Sequence, residues 1–106
     1  MAQEHVGRDG SLVVDGDSIV ITHRDEGAGD RRFELRRVTD VHFESATRWT
    51  SGILTVAVDG EPLVVPTGTA PGSDPFTVVF KRKANDEFAQ LHRWLVDIVD
   101  ANRGDQ

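Results

Sequence analysis

The sequence predicts an α+β domain, a small β-barrel of about seven antiparallel strands closed by one C-terminal α-helix. Three observations carry this reading. Short β-rich runs follow one another with turn-length links; two Asp-Gly pairs lie between such runs; and the hydrophobic period changes once, from two to helical spacing, near Asn85. Parallel strands would need long crossovers, usually helical, and the links are too short for them.

Each element has its own local signal. Ser11-Leu12-Val13-Val14 and Ser18-Ile19-Val20-Ile21-Thr22 flank Asp15-Gly16-Asp17, which predicts a hairpin. Residues 24–30 hold two glycines and three acids and read as a loop. Arg32-Phe33-Glu34-Leu35-Arg36 then alternates with Phe33 and Leu35 inward. Val41-His42-Phe43-Glu44 alternates likewise, with His42 outward. A polar connection from Ser45 to Ser51 holds Trp49, and Gly52 opens the run Ile53 to Val58. Asp59-Gly60 predicts a turn into a short, proline-bounded strand over Glu61 to Pro66. The Gly- and Pro-rich stretch 67–75 is a loop before a last strand, Phe76 to Lys81. From Asn85, expected as N-cap, Phe88, Leu91, Leu95, Ile98 and Val99 recur at helical spacing, with Asp86 and Glu87 at the positive end of the helix dipole.

At 106 residues the chain suits a single core, and 38% hydrophobic content can fill it. The expected organisation is a loose N-terminal tail over 1–9, the folded domain over 10–103 and a frayed tail over 104–106. No internal repeat or linker interrupts it.

Composition excludes several classes of function. There is no cysteine, which removes disulfides, zinc-thiolate sites and thiol nucleophiles. Neither a secretory leader nor a run of about 18 apolar residues is present, so a cytoplasmic location is expected. The formal charge of −6 repels nucleic acid and anionic lipid unless cations cluster locally. No Gly-x-Ser-x-Gly element exists. The four histidines lack paired spacing, and neither glycine-rich loop leads into a phosphate-binding helix. The expectation is a protein that is not an enzyme and carries no cofactor or metal.

Val14-Asp15-Gly16 before Ile19-Val20-Ile21, Gly52-Ile53-Leu54, and Asp74-Pro75-Phe76-Thr77-Val78-Val79-Phe80 running into Phe88 and Leu91 resemble a bacterial family of short pleckstrin-homology-like (PH-like) domains, common in actinobacteria. The resemblance implies two nearly orthogonal sheets plugged at one corner by the helix. It hands over no catalytic or ligand residue, because the matching positions are turns and core, and the family has no settled biochemical role. Lipid-binding PH domains usually place their bases around the first hairpin; the corresponding Asp15-Gly16-Asp17 is acidic, which disfavours membrane contact by that route.

Two features remain as binding candidates. Arg31, Arg32, Arg36 and Arg37 bracket the third predicted strand, and Lys81, Arg82 and Lys83 end the last one. Together on one face they would hold phosphate or an acidic protein patch; apart, they are solvated strand ends that discourage aggregation. Trp49, within Arg48-Trp49-Thr50, is either an exposed interface anchor or an aromatic folded back over the barrel mouth. The leading expectation is a protein-interaction adaptor using Trp49, Arg48, Arg32, Arg36, Arg37, Lys81, Lys83 or an open strand edge for an unidentified protein partner. The alternatives are edge-to-edge self-assembly into a homo-oligomer and binding of a small anionic ligand or lipid headgroup; nucleic acid is not expected, since the phenylalanines fall on inward positions.

Overall fold

The computed structural model describes residues 2–8, 10–23, 30–63 and 76–104. Among these residues, seven strands fall into two antiparallel sheets. The first has the order β1 (Ala2–Val6), β2 (Gly10–Asp15), β3 (Ser18–His23) and β4 (Arg31–Glu34); the second has β5 (Val38–Glu44), β6 (Gly52–Val58) and β7 (Thr77–Phe80). One helix, α1 (Asn85–Gly104), packs along β5 and β6.

The α+β class and the antiparallel order match expectation, but the sheets do not close into a barrel. Backbone ladders stop at both seams. At one seam a single 3-10 turn, Leu35–Arg37, carries the chain from the first sheet to the second, with the Leu35 N–H on the Asp17 carbonyl at 2.7 Å. At the other, the Arg8 N–H reaches the Val79 carbonyl and the His23 Nε2 lies 2.9 Å from the Thr77 carbonyl. Bonds of this kind join the described parts of the two sheets, which remain separate ladders.

Four local expectations change. The supposed tail at 1–9 contains β1, paired with β2 from Ala2↔Asp15 to Val6↔Ser11. Its polar residues show no inward face of their own, and pairing with a β-rich neighbour supplies what propensity does not. The third predicted strand ends at Glu34, because the 3-10 turn takes Leu35 and Arg36. Glu61 to Leu63 is not a strand. Val64 to Pro66, the glycine-rich loops at 27–29 and 68–72, and the loop 67–75 lie outside the described residues. The helix runs through Arg103 to Gly104, the first residue of the expected frayed tail.

Both Asp-Gly signals do make turns. In the first, Asp15 pairs with Ser18 across Gly16 (φ +61°) and Asp17, with glycine leading the two-residue loop. In the second, Asp59 and Gly60 both have positive φ and Glu61 N–H bonds the Val58 carbonyl at 3.0 Å, the geometry of a type I′ turn.

The core lies between the sheets and under α1, with Leu12, Ile19, Ile21, Leu54, Val78, Phe80, Phe88 and Leu95 all but sealed. Phe33 is buried as expected, whereas Val41, Phe43, Phe76 and Ile98 are half-buried at its margin. Rings form a continuous column through it. Phe88 of α1 stacks on Phe80 of β7 at 4.3 Å, Phe80 on Phe43 of β5 at 5.7 Å, and Phe43 on His92 of α1 at 5.3 Å. His5 of β1 meets the edge of Phe88 at 6.2 Å. The column exists because Gly52 leaves room: a Cβ there would sit 2.3 Å from the Phe80 ring and 2.7 Å from the Ala46 nitrogen. Asn102 fixes the far end of the helix, donating to the Leu35 and Val38 carbonyls at 3.0 and 2.8 Å.

Two predictions follow from the ring column. Gly52→Ala should lower stability by about 1–3 kcal/mol in denaturant melts, the cost of overpacking, while Gly104→Ala, whose Cβ meets nothing within 4 Å, should be near neutral. His92 is held below the usual imidazole value of 6.5, chiefly by burial and secondarily by His42. Below that value the unfolded chain takes up a proton the folded chain resists, so stability complete above pH 6.5 should decline as pH falls toward the folded value. Thermal melts of His92→Phe, which keeps the stack and removes the titration, should show a shallower acid decline.

Candidate functional site

Trp49 is 86% exposed, so the reading in which it folds back over the sheets does not hold. Its position comes from the loop beneath it. Thr47 Oγ1 accepts from the Trp49 and Thr50 N–H groups at 3.1 and 3.0 Å and lies 2.8 Å from the Thr50 hydroxyl, while Thr47 N–H bonds the Thr50 carbonyl at 2.8 Å. A hydroxyl-centred turn of this kind satisfies the backbone internally and leaves the indole outside.

The loop is held at both ends. Asn85, expected to cap its own helix, has helical dihedrals (φ −53°, ψ −47°) and uses its amide elsewhere: Oδ1 accepts from the Ala46 N–H at 2.7 Å and Nδ2 donates to the Ala46 carbonyl at 2.9 Å. The amide thus ties the base of the Trp49 loop to the first residue of α1. At the other end Arg8 Nη1 donates to the Ser51 hydroxyl at 3.0 Å.

These contacts shape an open concavity of about 390 Å³. Arg8, Arg48, Lys81 and Arg82 supply its cations, Trp49 its apolar wall, and Thr47, Thr50 and Ser51 its hydroxyls. None of the four cations is in an ion pair with a described carboxylate. Arg8 is the member that sequence reading missed, since it lay in a supposed tail. The Thr47-x-x-Thr50 spacing was a legible turn signal.

The two basic groups do not meet. Lys81, Arg82 and Lys83 run directly into Asn85 at the start of α1, whereas Arg36 and Arg37 occupy the 3-10 turn tied to Asn102 near its end. Seventeen residues of helix separate the groups by about 25 Å. Arg36 is in an ion pair with Glu34, and Arg37 in one with Asp59. The pairing raises the Arg37 pKa and holds the Asp59 carboxyl below its ordinary range, chiefly through the hydrogen bond between them. Arg32 stands exposed on β4, away from the concavity.

Among the described residues, no three His, Asp or Glu side chains gather as a metal site would require. No described helix is long and apolar enough to cross a membrane. The outer edge of β7 is partly occupied by the Arg8 and His23 contacts on Val79 and Thr77.

Fold and site together define a small α+β domain of two antiparallel sheets and one helix, with an aromatic and cationic surface at the helix start. The chain belongs to the family described as "Domain of unknown function (DUF4429)", whose model matches residues 12–93. Neither the curated proteins nor the solved structures gave a match. The matched span covers β3 to β7 and both tethers of Asn85, whereas β1 and Arg8 lie before it.

Asn85→Ala should strand the Ala46 N–H and carbonyl, both part-buried, and cost about 1–3 kcal/mol of stability in denaturant melts. The same variant should broaden the loop resonances of residues 47–50 in NMR spectra, whereas Asp86→Ala should leave them sharp.

Proposed function

We propose that this chain is a non-enzymatic protein-interaction module with a PH-like arrangement of its sheets and helix, and that its docking surface is the concavity at the start of α1. The observation that carries the reading is the coincidence of a tryptophan 86% exposed with four cations free of described carboxylates. An exposed indole on a tethered loop costs little to order on binding, and tryptophan and arginine are the residues most often found at the energetic centre of interfaces. Arg36 and Arg37, each paired with a carboxylate, and Arg32 have no part in it. The PH-like assignment draws support from the four- and three-stranded antiparallel sheets followed by a single C-terminal helix.

Affinity capture of the tagged chain from its native cell extract, with Trp49→Ala and with Lys81→Glu/Arg82→Glu alongside, tests this. A specific protein partner retained by the wild-type chain and weakened roughly 30-fold by Trp49→Ala, the scale of about 2 kcal/mol at a hot spot, is expected. Full retention by both variants would exclude the concavity.

A further inference from the structure

A second concavity, of about 530 Å³, adjoins the first, and the two share Arg8 and Lys81. Beyond those cations it is walled by Val6, Ala84, Lys83 and Glu87. Val6 is 50% exposed, and among the described large apolar side chains only Trp49 is more so. The shared cations therefore lie between Trp49 on one side and Val6 on the other, and the Glu87 carboxylate on the Val6 side is hydrogen-bonded to His5 at 2.9 Å.

We propose that this surface takes a short, extended, acidic protein segment whose carboxylates lie over Arg8, Arg48, Lys81 and Arg82 and whose apolar residue on the far side covers Val6; the proposal rests on the interaction reading above. The cations stand on three separate pieces of chain: Arg8 before β2, Arg48 in the β5–β6 loop, and Lys81 with Arg82 after β7. Spread out in this way they suit several carboxylates in series. A compact phosphate would engage the centre and leave both apolar ends in water. An extended surface of negative charge meets a different obstacle. It spreads past the concavity and comes within a Debye length, about 8 Å, of the acidic residues that give the chain its formal charge of −6, whereas a short segment stays over the local cations.

Fluorescence anisotropy on the full chain tests the assignment with three labelled peptides. The first carries a central Asp/Glu run flanked by leucines, the second replaces the acids by Asn/Gln, and the third replaces the leucines by serine. Inorganic phosphate, phosphatidylserine vesicles and unlabelled chain serve as competitors. The first peptide should bind, the second at least tenfold more weakly and the third about three- to tenfold more weakly. Trp49→Ala should cost about tenfold or more. Val6→Ser should erase the difference between the first and third peptides, with circular dichroism unchanged because the site is exposed. Equal affinity of all three peptides, or displacement of the first by phosphate, vesicles or a second copy of the chain at comparable concentration, would overturn the proposal. A protein partner captured through Trp49 but not displaced by the acidic peptide would overturn the segment and leave the interaction reading standing. Peptide binding without any captured partner would do the reverse.

Discussion

The stacking of Phe88 on Phe80 is the contact on which the rest of the molecule depends. It joins the helix to the shortest strand of the second sheet, and through Phe43 and His92 it returns to the same helix one turn later. Burying a phenylalanine contributes about 1.5–3 kcal/mol, and ring pairs add about 0.5–1.5 kcal/mol more, so this column outweighs any one exposed ion pair. Gly52 is the concession that makes it fit. With the helix seated, Asn85 and Asn102 fall opposite backbone carbonyls at its two ends, and the position of the Trp49 loop follows.

The division of cations illustrates why composition alone misleads. A formal charge of −6 argues against anionic partners only if charge is evenly spread. Here Arg36 and Arg37 are neutralised by Glu34 and Asp59, while Arg8, Arg48, Lys81 and Arg82 meet around one concavity. The fold performs part of this sorting, because two 3-10 turns, Leu35–Arg37 and Arg82–Ala84, put Arg36 and Arg37 near one end of a 20-residue helix and Arg82 at the other.

Much of the fold could be read from the residues. The paired Asp-Gly turns, the period-two runs and the Phe88–Leu91–Leu95–Val99 stripe each act locally, and local signals survive without tertiary knowledge. Ala2–Val6 did not, because its strand exists through pairing with Gly10–Asp15 and through His5 resting on Phe88, both nonlocal. Asn85 was misjudged for a related reason: its amide suits a helix cap, but the carbonyl and N–H of Ala46 offered it two bonds in place of one. Of the site, Trp49, Arg48 and Lys81 were visible as residue types. Their meeting with Arg8 was not, because it depends on β1 turning into β2 beside β7, and no spacing in the chain encodes that.

The placement of the cations around Trp49 has a consequence for how the molecule approaches other bodies. They lie at the end of α1 where the helix's own peptide dipoles point their positive pole, although Asp86 and Glu87 temper that end. A protein that is anionic in sum but cationic at one pole experiences a torque in a nonuniform field before it experiences net attraction. Near an acidic surface it would turn its Trp49 pole forward while being held at a distance, so encounters would be oriented before they are close.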